Sequence, residues 1–141
     1  MIIKRIDDKI LISDSISNYE MLEKIDINYV INLREEYHDD IYELTKRKLG
    51  YYWIPIKNNS EISHKQINQF LNLLKELNGN ILVHCNDDNS RTSTLIIAYL
   101  YYENKIHNIY DGEKYLLNIR IHPNLSNLQR KSLTTYFRIK R

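Results

Sequence analysis

The chain has 141 residues, 20 basic and 18 acidic, with a formal net charge of +2 and 43% hydrophobic residues. That length suits one domain, here residues 1–141, with a core of its own, and so balanced a charge excludes nucleic-acid binding through bulk electrostatics. A single cysteine excludes an internal disulfide and a Cys-rich metal site, so the thiol is either inert or reactive.

No apolar run reaches bilayer length, and the opening MIIKRIDDKI places acidic residues where a secretory signal needs a long apolar stretch. An intracellular, cytoplasmic location without membrane contact is expected. Residues 1–6 and 9–13 read as two strands joined by a turn at Asp7 and Asp8. A helix over 18–25, with Asn18 as N-cap, precedes a buried strand at 28–33. The pattern over 37–48 predicts a helix stopped by Gly50, followed by a strand at 51–56 in which Pro55 favours an edge. Ser63 caps an amphipathic helix with Ile67, Phe70, Leu71, Leu74 and Leu77 on its inner face and Gly79 as its stop. The short apolar run 81–84 reads as a central strand, and 91–103 as a helix lying in the core. Helices at 109–119 and 125–138 follow, separated by Pro123. The fold class is therefore α/β, a central mixed, mainly parallel sheet of four to five strands flanked by helices.

The stretch ILVHCNDDNSRTS carries the chemistry. A buried strand delivers Cys85 to its C-terminal end, and five residues later Arg91 opens a helix. Ligands of open α/β sheets bind beyond the carboxyl ends of strands, and a helix N-terminus offers free N–H groups to an anion. Asn86, Asp87, Asp88, Asn89 and Ser90 can curl their amides around one tetrahedral dianion, with the Arg91 fork on two of its oxygens. The same field favours a thiolate at Cys85. Thr92 can donate its hydroxyl to the sulfur, and His84 can brace the loop from behind. A lone cysteine at a strand end is more often an inert core residue; the ordered set is what points to chemistry.

That set, His84-Cys85, five residues, Arg91-Thr92, resembles the protein tyrosine phosphatase superfamily and in particular its small dual-specificity branch. The likeness extends over roughly residues 9 to 137: KILISDS, INYVINLREE, YYWIPI, TLIIAYLYYE and IRIHPNLSNLQRKSL are similar to successive elements of that family. It implies hydrolysis of phosphotyrosine or phosphoserine/threonine in a phosphorylated protein through a cysteinyl-phosphate, without cofactor or metal, and inhibition by oxyanions such as vanadate or tungstate. Two positions depart from the family. The loop has no glycine and holds two acids, and the family's general-acid Asp, three residues after the proline, is Asn58 here. Glu61 lies on the same loop as a substitute acid. Asp87 matches by spacing an Asp in the phosphate loop of the myotubularin lipid phosphatases. Two alternatives stay open: an impaired phosphatase-like module that binds phosphorylated partners, and a phosphatase of RNA 5′-phosphates or phosphoinositides.

Overall fold

The computed structural model describes residues 1–86 and 88–140. The chain opens with β1 (Ile3–Arg5) and β2 (Ile10–Ser13), joined by a turn in which the Asp7 carboxylate accepts from the amides of Lys9 and Ile10 at 2.9 and 2.8 Å. Then come α1 (Tyr19–Lys24), capped by the Asn18 side chain on the Met21 amide, β3 (Tyr29–Arg34), α2 (Ile41–Lys46) and β4 (Gly50–Ile56). The amphipathic helix α3 (His64–Glu76) begins at a capping box between Ser63 and Gln66 and leads to β5 (Ile81–His84). Helices α4 (Ser90–Tyr102), α5 (Ile109–Asn118) and α6 (Asn127–Lys140) complete the chain.

The strands form one sheet in the order β1-β2-β5-β3-β4, with every pair parallel except β1 with β2. This is the expected α/β class, and β4 with its Pro55 is an edge strand, where a residue lacking an N–H disrupts no ladder. One face of the sheet carries the larger core, built with α3, α4, α5 and α6; the other packs Leu11, Val30 and Leu82 against Leu22 of α1 and Leu44 of α2. Helix α4 is buried from Ser90 to Leu100, which fits the largely apolar run at 95–100 that follows its polar first turns. No helix of the described residues is long and apolar enough to cross a membrane.

Two local expectations are corrected. Helix α2 starts at Ile41 instead of residue 37, because Asp40 turns its side chain onto the Glu43 amide at 3.1 Å and residues 35–40 are drawn into a loop by partners on β3 and β4. It also ends before Gly50. Lys48 takes the left-handed backbone (φ 59°), while Gly50 opens β4, where a Cβ would lie 2.6 Å from the Tyr29 ring.

Candidate active site

Cys85 leaves the centre of the sheet fully buried, with β2 and β3 on either side of the strand that delivers it. After it the chain closes a turn, Asn89 N–H donating to the Asn86 carbonyl at 3.0 Å. Asn89 holds the left-handed conformation (φ 59°) that an asparagine tolerates better than most residues, so a loop without glycine still turns into α4. The Asp88 carboxylate faces the helix start and accepts from the Ser90 amide at 3.1 Å, which directs its charge to the positive end of α4. Asn124 donates to the Asp88 carbonyl at 2.9 Å from the α5–α6 connection. The Ser90 hydroxyl is buried against Gln129 of α6 (3.2 Å) and is committed to packing. Asp87 lies outside the described residues.

Arg91 is completely buried. Its Nη1 donates to Glu36 Oε1 at 2.7 Å and to the Ile56 carbonyl at 2.8 Å, and its Nη2 donates to Glu36 Oε2 at 2.9 Å. Asn86 Nδ2 donates to the same Oε2 at 2.7 Å. Glu36 therefore grips the end of the guanidinium fork and ties it to the first residue after the cysteine. Hydrogen bonding from Arg91 holds the Glu36 carboxyl down at about 2, against the opposing effect of burial. Burial opposes the Arg91 charge, but Glu36 and the nearby Cys85 and Asp88 hold its pKa above the ordinary value. Of the five guanidinium N–H groups, Nε–H and one on Nη2 remain on the side edge of the fork, and Nε has no partner among the described residues. The next side chain, Thr92, also buries a hydroxyl without a partner among them. Unpartnered buried donors beside a cysteine suit a tetrahedral oxyanion.

Behind the loop, His84 places Nε2 2.7 Å from Asp39 Oδ2 and Nδ1 3.3 Å from the Cys85 carbonyl oxygen. Asp39 also accepts from Arg34 Nη2 at 3.0 Å, and Arg34 Nε donates to Asn32 Oδ1 at 3.1 Å. Asn32 Nδ2 reaches the Tyr37 carbonyl and the Tyr51 hydroxyl at 2.8 and 3.0 Å, which fastens the 35–40 loop to β3 and β4. Arg34 is thus a buried brace, whereas Lys57 is exposed.

Asn58 is exposed, two residues beyond Ile56, whose carbonyl is anchored on Arg91, so the turn that carries it rims the site. Glu61 is exposed and is paired with Lys131 at 2.9 Å. A pocket of about 250 Å³ adjoins the loop at Asn89 and is lined by Lys4, Asp14, Arg120 and His122. The larger groove, about 650 Å³ between β4 and α3, is lined by none of the described residues of the Cys85 loop. Sequence reasoning missed Glu36 and Asp39. Their only signal was a run of acids just past the carboxyl end of a strand, which reads as a solvated turn.

The family model described as "Dual specificity phosphatase, catalytic domain" matches residues 10–139. No curated protein matches the chain. Among solved structures it is similar to Tk-PTP in its active form (21% identity, 96% of each chain covered, TM-score 0.80). It is similar also to PTPMT1 in complex with PI(5)P (17% identity, 97% of this chain and 95% of that one, TM-score 0.82) and to the catalytic core of Siw14 (18%, 97% and 88%, TM-score 0.78). At these identities the likeness is one of fold.

Proposed function

The chain belongs to the dual specificity phosphatase family, and on that premise we propose that it hydrolyses phosphotyrosine and phosphoserine/threonine in phosphorylated proteins through a phosphate carried on Cys85. The thiolate of Cys85 attacks phosphorus, the S–P bond forms as the bond to the leaving oxygen breaks, and water then displaces the sulfur to release inorganic phosphate. Arg91 presents Nε–H and Nη2–H to two phosphate oxygens and stabilises the charge that spreads over them. Thr92 donates its hydroxyl to the sulfur as it departs. The observation that carries this reading is the free side edge of Arg91, fixed in place by Glu36 and the Ile56 carbonyl.

Asn58 supplies no proton to the leaving group, so phosphotyrosine, whose phenol has a pKa of about 10, is turned over faster than an alkyl phosphate. With p-nitrophenyl phosphate, whose leaving group needs no acid, turnover is expected in the native chain and none in Cys85→Ser. If neither hydrolyses it, the chain is a module that grips phosphorylated partners without turnover.

A second reading draws on the pocket beside Asn89. Lys4 and Arg120 form no ion pair among the described residues, and with His122 they suit a second phosphate on the same substrate, as in a phosphoinositide headgroup. The fold-level likeness to PTPMT1, whose structure holds PI(5)P, supports it. Comparing a phosphotyrosine peptide with soluble phosphoinositide headgroups distinguishes the two.

A further inference from the structure

We propose that two copies of this chain pair edge to edge through β4 and α3, antiparallel about a twofold axis beside Tyr52, so that one sheet runs through both.

Strand β4 ends the sheet and pairs only with β3. Its run GYYWIPI carries no charge, and Tyr52 and Trp53 are 37% and 39% exposed. Sheet edges are ordinarily blunted by charge, proline or a bulge. Here Pro55 and the register shift opposite Asn32 and Arg34 guard only the second half of the strand, and the Pro55 carbonyl already accepts from Gln66 Nε2 at 3.1 Å. Gly50 and Ile56 face β3: the Gly50 N–H donates to the Asn28 carbonyl at 3.0 Å, and the Ile56 carbonyl accepts from the Glu35 N–H at 3.3 Å. Alternate residues turn the other way, so Tyr51 and Trp53 hold their N–H and C=O groups toward the open edge. An antiparallel copy centred on Tyr52 sets Tyr51 opposite the partner's Trp53 and pairs each of these groups.

The groove of about 650 Å³ beyond this edge decides the occupant. Tyr52 and Ile54 line it from the strand, and the outer face of α3 lines it from the helix. Along that face Lys65 and Glu76 stand equally far from the middle of the stretch, and so do Gln69 and Asn72. A twofold axis brings such positions together, cation against carboxylate and amide against amide, with Asn68 against Leu73 as the one pair without matched chemistry. Lys65 and Glu76 are exposed and form no ion pair among the described residues.

The centres of the two elements also lie at nearly the same level. Helix α3 runs back against β4 from the Gln66–Pro55 hydrogen bond. From there the middle of 65–76 is about 7 Å along the helix, and Tyr52 is about 10 Å along the strand. One axis therefore serves both. Exposed ion pairs contribute little each, so the strand pairing and the burial of Tyr52 against the partner's Tyr52 supply most of the affinity, and the charges set the orientation. The carboxyl ends of the strands point in opposite directions in the two copies, which leaves each Cys85 loop open at its own rim.

Sedimentation equilibrium of the full chain from low to high micromolar concentration tests this, with far-UV circular dichroism as the check of folding. The native chain is expected to dimerise. Lys65→Glu and Glu76→Lys should each raise the dissociation constant by on the order of tenfold, because each sets like charges together at both ends of the interface. The double reversal should return it to near the native value. Tyr52→Lys, which places a charge at the centre of the pairing, should leave monomer alone. A native chain that stays monomeric throughout overturns the proposal and leaves the edge to an extended strand of another protein. A dimer that none of these substitutions weakens overturns it by placing the interface elsewhere, and single reversals that the double variant does not rescue overturn the antiparallel pairing of Lys65 with Glu76.

Discussion

Replacing Glu36 by Gln removes the carboxylate that orients Arg91 and leaves a side chain of nearly the same shape. Its carboxyl sits at about 2 in the fold against an ordinary 4.5, with the Arg91 hydrogen bond as the main cause. At about 1.36 kcal/mol per pH unit that difference corresponds to about 3 kcal/mol. The Glu36 side chain is 35% exposed, so solvent screening reduces the expected contribution to about 1–2 kcal/mol. A carboxyl more acidic in the fold than in the unfolded chain stabilises fully above about pH 4.5 and loses that contribution as the pH falls towards 2. Urea unfolding of the native chain and Glu36→Gln should therefore differ by about 1–2 kcal/mol at pH 6 and converge by pH 2 to 2.5. The variant should also lose turnover at pH 6, because an unpaired guanidinium no longer points its free edge at the phosphate. A stability gap that is constant with pH, or absent at pH 6, would refute the role given to this pair.

Other perturbations probe separate parts of the account. Asn58→Asp should raise kcat on a phosphotyrosine peptide by on the order of 10²-fold and leave p-nitrophenyl phosphate nearly unchanged, as measured by phosphate release. Lys4→Ala combined with Arg120→Ala should raise KM for a substrate with a second phosphate by on the order of tenfold, and a singly phosphorylated peptide should be indifferent. Gly50→Ala would set a Cβ 2.6 Å from the Tyr29 ring, so thermal unfolding should show a loss of about 1–3 kcal/mol.

The fold was legible because its signals are local. The apolar run 81–84 reads as a central strand, and Ser63 marks the start of α3, where the structure adds Gln66 as the other half of a capping box. Where a helix boundary depended on partners from elsewhere, the pattern misled: residues 37–40 carry helical spacing but are held by Tyr51 and Asn32, which lie in other strands. The site divides in the same way. Cys85 and Arg91 declare themselves by spacing along one loop, whereas Glu36 and Asp39 act across the sheet from 55 and 45 residues away, and nothing in an acidic turn says which carboxylate meets an arginine. The burial of Arg34 against Asp39 at the end of β3 depends on the same long-range closure. That the Asp88 carboxylate turns to the start of α4 likewise depends on how the loop closes, which composition does not encode.

The central claim is that phosphate passes through Cys85. Quenching the native chain in acid during turnover of a phosphotyrosine peptide and mapping the phosphate by mass spectrometry tests it directly. The account predicts phosphate on the peptide that contains Cys85 and none in Cys85→Ser; turnover with Cys85 unmodified throughout, or phosphate found on another residue, would contradict it.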